Sequence, residues 1–387
     1  MEYVNNHIHT TYSFSPYTPE QAVFKAREAG LRTAGIMDHD SVAGAWEFIN
    51  AGKRAGVATT VGIEIRCSIA GTPFEGRKLN NTDQASVAYL TMHGIPHGSI
   101  SLVQDYMAPY RAARAARGRK MTERLDGIFA PFGVRLDFDR DVEPISRFAA
   151  GGTITERHVL FALASKLIER FGAGGGPPDF LVEKFGIHVP KGIREKLAAP
   201  GAQYYQYHLL GLLKGNFMEK FYIDAGEELI HASDFLRLSE EAGAISAYPY
   251  LGDVADSVTG DKKDSKYEDA FLDELVAWAA SVGFRALTYM PARNTRAQLE
   301  RVIALCERHG LFQISGEDIN TPFQNFICPA LAEPCFAHLV SATWALIGHE
   351  KAASENPERG MFTRQTMAKD PDLYERIAIY EKIGRAN

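Results

Sequence analysis

The sequence has few of the residues that staple a chain together. Among 387 residues there are only four cysteines, Cys67, Cys306, Cys328 and Cys335, far apart and with no CxxC pair. That spacing offers no disulfide framework and suits reduced, buried thiols in a cytoplasmic protein. An excess of positive charge is also missing. Lys and Arg number 42 against 48 Asp and Glu, for a formal net charge of -6. No general basic field exists to hold a nucleic-acid backbone, which excludes non-specific nucleic-acid binding and leaves a short oligonucleotide substrate open. No uninterrupted apolar run is long enough to cross a bilayer. The opening MEYVNNHIHT has neither the basic nor the apolar part of a secretory signal, and a cytoplasmic location is expected. There is no GxSxG, no catalytic-cysteine context and no phosphate-cradling Walker loop, so no side chain commands a nucleophile role. Internal repeats and coiled-coil patterns are absent too. What remains is an ordinary globular composition, 45% hydrophobic and 23% charged, long enough for one to three domains.

The first 64 residues organise the rest. Tyr3 and Val4 lead an apolar strand into His7 and His9. Thr18-Pro19-Glu20-Gln21 is a helix start: Thr18 caps, Pro19 fits the first turn and Gln21 completes a capping box. Val23, Ala26 and Ala29 share one side of a helix over 19–29 that Gly30 ends. A second strand delivers Asp38, His39 and Asp40, a short helix spans 43–53, and a third strand delivers Glu64. Three β-to-α units, each placing metal-capable groups at the strand's carboxyl end, describe the active rim of a parallel sheet or barrel.

Spacing selects the candidates. Residues two apart on a strand face the same side, so His7 and His9 can reach one ion with Ile8 turned away. Glu64 and the much later Asp318 also end strands, and with the two histidines they form a two-histidine, two-carboxylate shell suited to zinc, iron or manganese. His39 is the next candidate, with Asp38 or Asp40 placed to orient its imidazole through the second nitrogen. His93, beyond a strand at SVAYLTM, and His158, at the start of a helix, are candidates for a second metal position, and the sequence does not choose between His93 and His97. His39 or His158 would move a proton to the leaving oxygen. An HxH pair or a DHD triplet alone is as readily a polar turn or helix cap; their joint placement at strand ends favours metal. The arginine-rich stretch 111–124 is either a solvated helix face or a positive wall in which Arg111, Arg114 and Arg117 meet a substrate phosphate.

Beyond Cys67 the chain is turn-rich to Gln84. From 99 to 240 it reads as mainly helical, with pieces near 101–130, 155–171, 178–186 and 205–221. The βα rhythm returns with strands at 243–248, FRALTYM and LFQISGED, separated by helices, the second capped by Asn294. A discontinuous catalytic domain (1–98 and 241–326) with a helical insertion (99–240) fits this order, followed by a tail (327–387) with helices near 329–346 and 367–384 that pack on the barrel.

The residues assembled above are those by which the sequence resembles the PHP (polymerase and histidinol phosphatase) family of metal-dependent phosphoesterases. The matching stretches are HIHTTYS from His7, GIMDHDSVAG from Gly35, VGIE ending at Glu64, the patch from Arg157 and His158, Ala247-Tyr248-Pro249, and SGED ending at Asp318. The resemblance implies a distorted seven-stranded β/α barrel with two or three metals at the strand ends. It would put His7 and His9 on one ion with Asp318, make Glu64 a bridge, place His39 on another ion, and set His93 and His158 at adjacent positions. It implies hydrolysis of a small phosphomonoester or short phosphodiester by metal-activated water. Three departures stand out: Phe14 replaces the family's acidic residue, Tyr248 the histidine of Ala-His-Pro, and Asn320 the histidine of a terminal Asp-x-His. One or two ions are therefore expected rather than three. Two rival functions fit the same residues, hydrolysis of an amide or cyclic amide and non-catalytic metal binding with a regulatory role.

Overall fold

In the computed structural model, which describes residues 2–81, 83–253 and 268–386, two βα units and a third strand open the chain; that third strand leads into another strand, where the sequence suggested a third βα unit. β1 (Tyr3–Ile8), β2 (Leu31–His39) and β3 (Ala58–Ser68) run parallel, joined by helices Pro19–Glu28 and Ala45–Ala55. The first helix starts on the predicted capping box: the Gln21 amide donates to Thr18 Oγ1 at 3.2 Å, and the Thr18 amide donates to Gln21 Oε1 at 3.0 Å. Ala22, Val23 and Ala26 are fully buried under the sheet.

β4 (Val87–His93) runs antiparallel to β3 and to β6 (Ile245–Pro249), whereas β7 (Ala286–Tyr289) and β8 (Phe312–Ser315) resume the parallel direction. A two-residue strand, β5 (Ile230–His231), adds to the outer end of β3. The order β1-β2-β3-β4-β6-β7-β8 curls until its edges meet at a parallel bridge between Ile8 and Ile319. There the His9 amide donates to Ile319 O at 2.9 Å, and the Ile319 amide donates to His7 O at 3.1 Å. Gly316 permits that seam, because a Cβ on it would lie 2.7 Å from His7 Cβ. The result is a nearly closed, distorted seven-stranded barrel.

The reversal of β4 moves one expected site residue. Thr91, not the strand's last residue, sits opposite Glu64, and His93 pairs with Ile245 at the start of β6. His93 therefore lies one layer down towards the amino ends of the neighbouring strands, not on the rim.

Helices Ile100–Tyr106, Ala108–Phe129, Glu156–Phe171, Gly176–Phe185, Lys191–Ala198 and Tyr205–Phe221 fill most of the expected insertion. The sequence reading missed Lys191–Ala198, because Pro190 and Gly192 resemble breakers; proline directly before a helix is in fact compatible with its start. Leu125, Phe129, Leu160, Leu163, Leu209 and Phe217 build a second hydrophobic core, to which the barrel contributes, among the described residues, only Phe14. Ile100 and Val103 at one end of the insertion, and Phe235 and Leu238 at the other, pack with the barrel core instead.

The tail closes the opposite end. Helix Ala337–Glu355 lies beneath the strands, where Glu350 Oε2 accepts from Thr60 Oγ1 at 2.7 Å and from the Val61 amide at 2.8 Å, and Asn6 Nδ2 donates to Thr343 Oγ1 at 2.8 Å. Helix Leu373–Arg385 packs against it where Gly348 and Gly384 bring the two backbones together. The helix at Arg296–His309 is capped by Thr295 with Gln298 at N3, one residue later than the Asn294 cap expected. Cys67, Cys306 and Cys328 are buried free thiols, but Cys335 is exposed, against expectation. Among the described residues no helix is long and apolar enough to cross a membrane.

Candidate metal centre

The site is built at the carboxyl ends of β1, β2 and β8 and within β3, which runs on past Glu64 to Ser68 and does not end at Glu64 as the sequence suggested. Ile8 turns into the core and is fully buried, which leaves His7 and His9 on one side with their Nε2 atoms 3.2 Å apart. His9 Nδ1 lies 3.2 Å from Ser13 Oγ, and that hydroxyl donates to Asp38 Oδ1 at 2.6 Å. The Thr10 amide donates to Asp38 Oδ1 at 2.6 Å and Thr10 Oγ1 to Asp38 Oδ2 at 2.5 Å. A buried aspartate thus clamps the loop after β1 and fixes the His9 ring through its second nitrogen, the usual outer support of a metal-ligating imidazole. Asp38 does this for His9, not for His39 as the sequence suggested. Side chains alternate along β2, so Asp38 points away from its neighbour, and Asp40, with φ of 53°, turns to pair with Arg114.

His39 and Glu64 are direct partners in the β2–β3 register. His39 Nδ1 stands 3.0 Å from Glu64 Oε2 yet is a buried nitrogen with no aligned hydrogen bond. Glu64 Oε2 is also 3.8 Å from His7 Nε2 and 3.8 Å from His9 Nε2, while Asp318 Oδ1 is 3.2 Å from His9 Nε2. Two triads result, His7/His9/Asp318 and His9/His39/Glu64, each with ligand atoms within 4.8 Å of one another. Lone pairs converging this way, one of them orphaned, fit a shared divalent cation, and the imidazole and carboxylate donor set suits zinc, manganese or iron.

The field inside the cluster agrees. Burial opposes charge on Glu64, but His39 and His7 outweigh it and hold the carboxyl well below the usual range. Burial likewise opposes charge on Asp318, and the hydrogen bond and charge of His9, with His7, hold it low. Burial would lower His7, and Glu64 and Asp318 raise it above its ordinary value instead; for His39 burial prevails and the imidazole is lowered.

His93 and His158 stand outside both triads. His93 is buried, with Nε2 3.1 Å from Thr91 Oγ1, and burial followed by the charge of His7 lowers it to about 3. His158 is the N3 residue of its helix: its Nδ1 accepts from the Thr155 amide at 3.0 Å, and burial followed by Arg114 lowers it to about 3. The Phe14 ring meets it edge-on with centroids 5.0 Å apart, so an aromatic stands where the family's acid would face this histidine. Tyr248 is no ligand either. Its hydroxyl donates to Glu268 Oε1 at 2.5 Å, and burial with that carboxyl raises the phenol well above its ordinary value. Asn320 spends both ends of its amide, accepting from Arg157 Nη1 at 2.5 Å and donating from Nδ2 to Asp318 Oδ1 at 2.7 Å.

The centre opens into a cavity of about 890 Å³ between the barrel rim and the insertion, within the size range of small-molecule sites. His7, His39, Glu64 and Asp318 floor it, and Tyr89, Tyr250 and Tyr289 are among its walls. The three arginines expected to form a phosphate wall are otherwise engaged. Arg111 Nη1 donates to Asp40 O at 3.1 Å and Gln104 O at 3.0 Å, and Arg117 grips Glu228 at 2.7 and 2.8 Å and Glu156 at 2.5 Å. Arg114 reaches the cavity but pairs with Asp40 and, at 3.4 Å, with Glu156. They are 7%, 2% and 6% exposed for Arg111, Arg114 and Arg117, so this side of the helix is half of a buried ion cluster and not a free wall, while Arg119, Lys120 and Arg124 form the solvated face that the sequence also allowed. Arg66, two residues after Glu64 on the same face of β3, belongs to that cluster and went unnoticed in the sequence; the period-2 spacing from Glu64 is the signal that finds it. Arg157 also lines the cavity, and its place immediately before His158 was the only pointer to it.

Related proteins place this geometry. A curated relative, the 5′-3′ exoribonuclease Rnm of Salmonella typhimurium, is 30% identical over 215 residues, 50% of this chain and 64% of the relative, so the chain spans less than two thirds of that protein's length. A solved structure from Bifidobacterium adolescentis, provisionally classed as a metal-dependent phosphoesterase, matches with TM-score 0.54 and 20% identity over 88% of this chain and 96% of that one. An amidohydrolase from Chromobacterium violaceum, solved with bound sulfate and no metal, matches with TM-score 0.54 and 16% identity over the same shares, 88% and 96%. At such identities these structures speak to the fold. The family model for the PHP domain matches residues 5–271, and on that match the chain belongs to the PHP domain family, with two overlapping ligand clusters among its described residues rather than three.

Proposed function

We propose that the protein is a hydrolase of phosphate esters that works with one or two divalent ions, acting on a nucleotide-sized phosphomonoester or the end of a short phosphodiester. The observation that carries this reading is the gathering of His7, His9, His39, Glu64 and Asp318 into two triads that share His9, at the floor of an open cavity. His7, His9 and Asp318 would hold one ion and His39 with Glu64 a second, with Glu64 Oε2 facing imidazoles of both groups. A divalent cation there supplies Lewis acidity towards water and the phosphoryl oxygens.

The chain's own residues supply order. Asp38 holds the His9 ring through Ser13, Asn320 holds the Asp318 carboxylate, and the β2–β3 register holds His39 beside Glu64. Tyr89, its hydroxyl 2.9 Å from Arg66 Nη2, and Tyr250 give the cavity aromatic walls suited to a nucleobase. The relative named as an exoribonuclease supports a ribonucleotide ester as the substrate class.

The test is a substrate panel run with the protein loaded separately with manganese, zinc or iron. It would contain aryl phosphates, aryl phosphodiesters, 5′-nucleotides, short RNA oligomers and amides. Metal-dependent release of phosphate or nucleotide, abolished in His9→Ala together with metal content, is expected. Turnover of amides alone would refute the reading, and a fully metal-occupied protein inert across the panel would place it with non-catalytic binders.

A further inference from the structure

We propose that Arg157 receives the anionic phosphoryl group of the ligand, and that Asn320 holds this guanidinium in place while orienting Asp318. This rests on reading the site as one for phosphate esters. Arg157 enters from the first turn of helix Glu156–Phe171, is half-buried, and lines the same cavity as His7, His39, Glu64 and Asp318. Its Nη1 donates to Asn320 Oδ1 at 2.5 Å, and Asn320 Nδ2 donates to Asp318 Oδ1 at 2.7 Å. Guanidinium can only donate, so the amide oxygen must face Arg157 and the amide nitrogen the carboxylate. Asn320 itself sits on a built turn, where Gln324 Oε1 accepts from the Asn320 and Thr321 amides at 2.8 and 2.7 Å.

The other cations of the cavity narrow the choice. Arg66 and Arg114 are buried against Glu156, Lys220 Nζ lies 4.7 Å from the centre of the Phe217 ring, and Lys78 and Lys214 offer flexible ammonium groups in place of a planar fork. Among the described residues Arg157 forms no ion pair, and its hydrogen-bond partner is a neutral amide. It therefore keeps a full positive charge directed at whatever enters the cavity, on a planar fork that matches phosphoryl oxygens. The same amide shows why asparagine serves at this position. An imidazole would claim a cation, whereas the asparagine passes its oxygen to a side chain that brings fixed charge to that corner of the site.

The probe is inorganic phosphate, titrated calorimetrically into metal-loaded protein at constant ionic strength, with metal content measured on each sample. Arg157→Ala should weaken phosphate binding about ten- to a hundredfold, the effect of losing charge-assisted hydrogen bonds, with metal content unchanged. Asn320→Asp should keep the contact to Arg157 yet weaken phosphate binding by a similar factor at equal metal content, because the new carboxylate neutralises the guanidinium; it also removes the donor to Asp318, so affinities are compared only between fully metal-loaded samples. Arg157→Lys should recover part of the loss. If Arg157→Ala does not fold, by circular dichroism, the lysine and Asn320→Asp variants carry the test. Phosphate affinity within twofold of the parent in Arg157→Ala, or in fully metal-loaded Asn320→Asp, or a parent that binds no phosphate at full metal occupancy, overturns the assignment. A parent that binds phosphate through Arg157 but hydrolyses no ester would instead remove the function proposed above and leave this site standing.

Discussion

Glu156→Ala is the sharpest test of how the insertion is held to the barrel. Three guanidiniums converge on this carboxylate: Arg66 Nη1 at 3.2 Å, Arg114 Nη2 at 3.4 Å and Arg117 Nη2 at 2.5 Å. With Asp40 and Glu228 the cluster holds three positive and three negative groups, all under a tenth exposed. Arg66 and Asp40 belong to the barrel, whereas Arg114, Arg117 and Glu156 belong to the insertion. At an effective dielectric of about 20, a unit pair near 3.2 Å is worth roughly 5 kcal/mol before desolvation is subtracted. Truncating Glu156 leaves a buried excess of one positive charge, a type of break that costs about 3–5 kcal/mol. Urea unfolding in the presence of a chelator, so that metal binding adds nothing, measures it. All three tryptophans, Trp46, Trp278 and Trp344, lie outside the insertion, so their fluorescence reports the barrel and tail, while far-ultraviolet circular dichroism is weighted by the helices. Both signals should move to lower urea, and Glu156→Gln should move them less. A loss below about 1 kcal/mol, the range of an exposed pair, would refute the view that this cluster is a buried joint.

Two further outcomes follow from close contacts and burial. Gly316→Ala should push the end of β8 from His7, since its Cβ would lie 2.7 Å from His7 Cβ and 2.9 Å from His7 N; weaker metal binding, measured by competition with a chromogenic chelator, is expected, and unchanged affinity would show that the seam yields freely. Burial lowers His349 to about 4, and its Nδ1 accepts from the Met361 amide at 2.9 Å. The unfolded chain binds this proton near pH 6.5 and the folded one only near 4, so the contribution is complete above pH 6.5 and is lost as pH falls towards 4. That amounts to about 2 kcal/mol by pH 5. His349→Asn, which keeps an acceptor for Met361, should flatten the fall in stability between pH 6.5 and 5, and an unaltered slope would show that His349 does not drive it.

Much of the centre was legible because strand geometry is local. The two-residue spacing of His7 and His9 fixes a shared side, and the apolar run before Glu64 marks a strand, although that strand continues past Glu64 to Ser68. What was not legible depends on direction and on distant partners. Alternation along a strand is the same read forwards or backwards, so nothing in SVAYLTMH showed that β4 runs against its neighbours and carries His93 away from the rim. The arginines of helix Ala108–Phe129 looked like an exposed charged face because their carboxylates, Asp40, Glu156 and Glu228, lie from 39 to 111 residues away in sequence. Asn320 could be read as a missing ligand, but the cross-chain bond that gives it another task joins it to Arg157 at a separation of 163 residues.

Phe14 has a meaning beyond the ligand it replaces. It packs against His158, Phe161 and Tyr207, with ring centroids at 5.0, 5.7 and 6.1 Å, and among the described residues is the barrel's one entry into the second core. Placing an acid at this position would therefore not simply build a cation pocket: it would pull a plug from the helical cap and leave a carboxylate facing rings. An acid here and the present aromatic packing are alternatives that exclude each other, so accommodating the former would require resurfacing the cap at the same time.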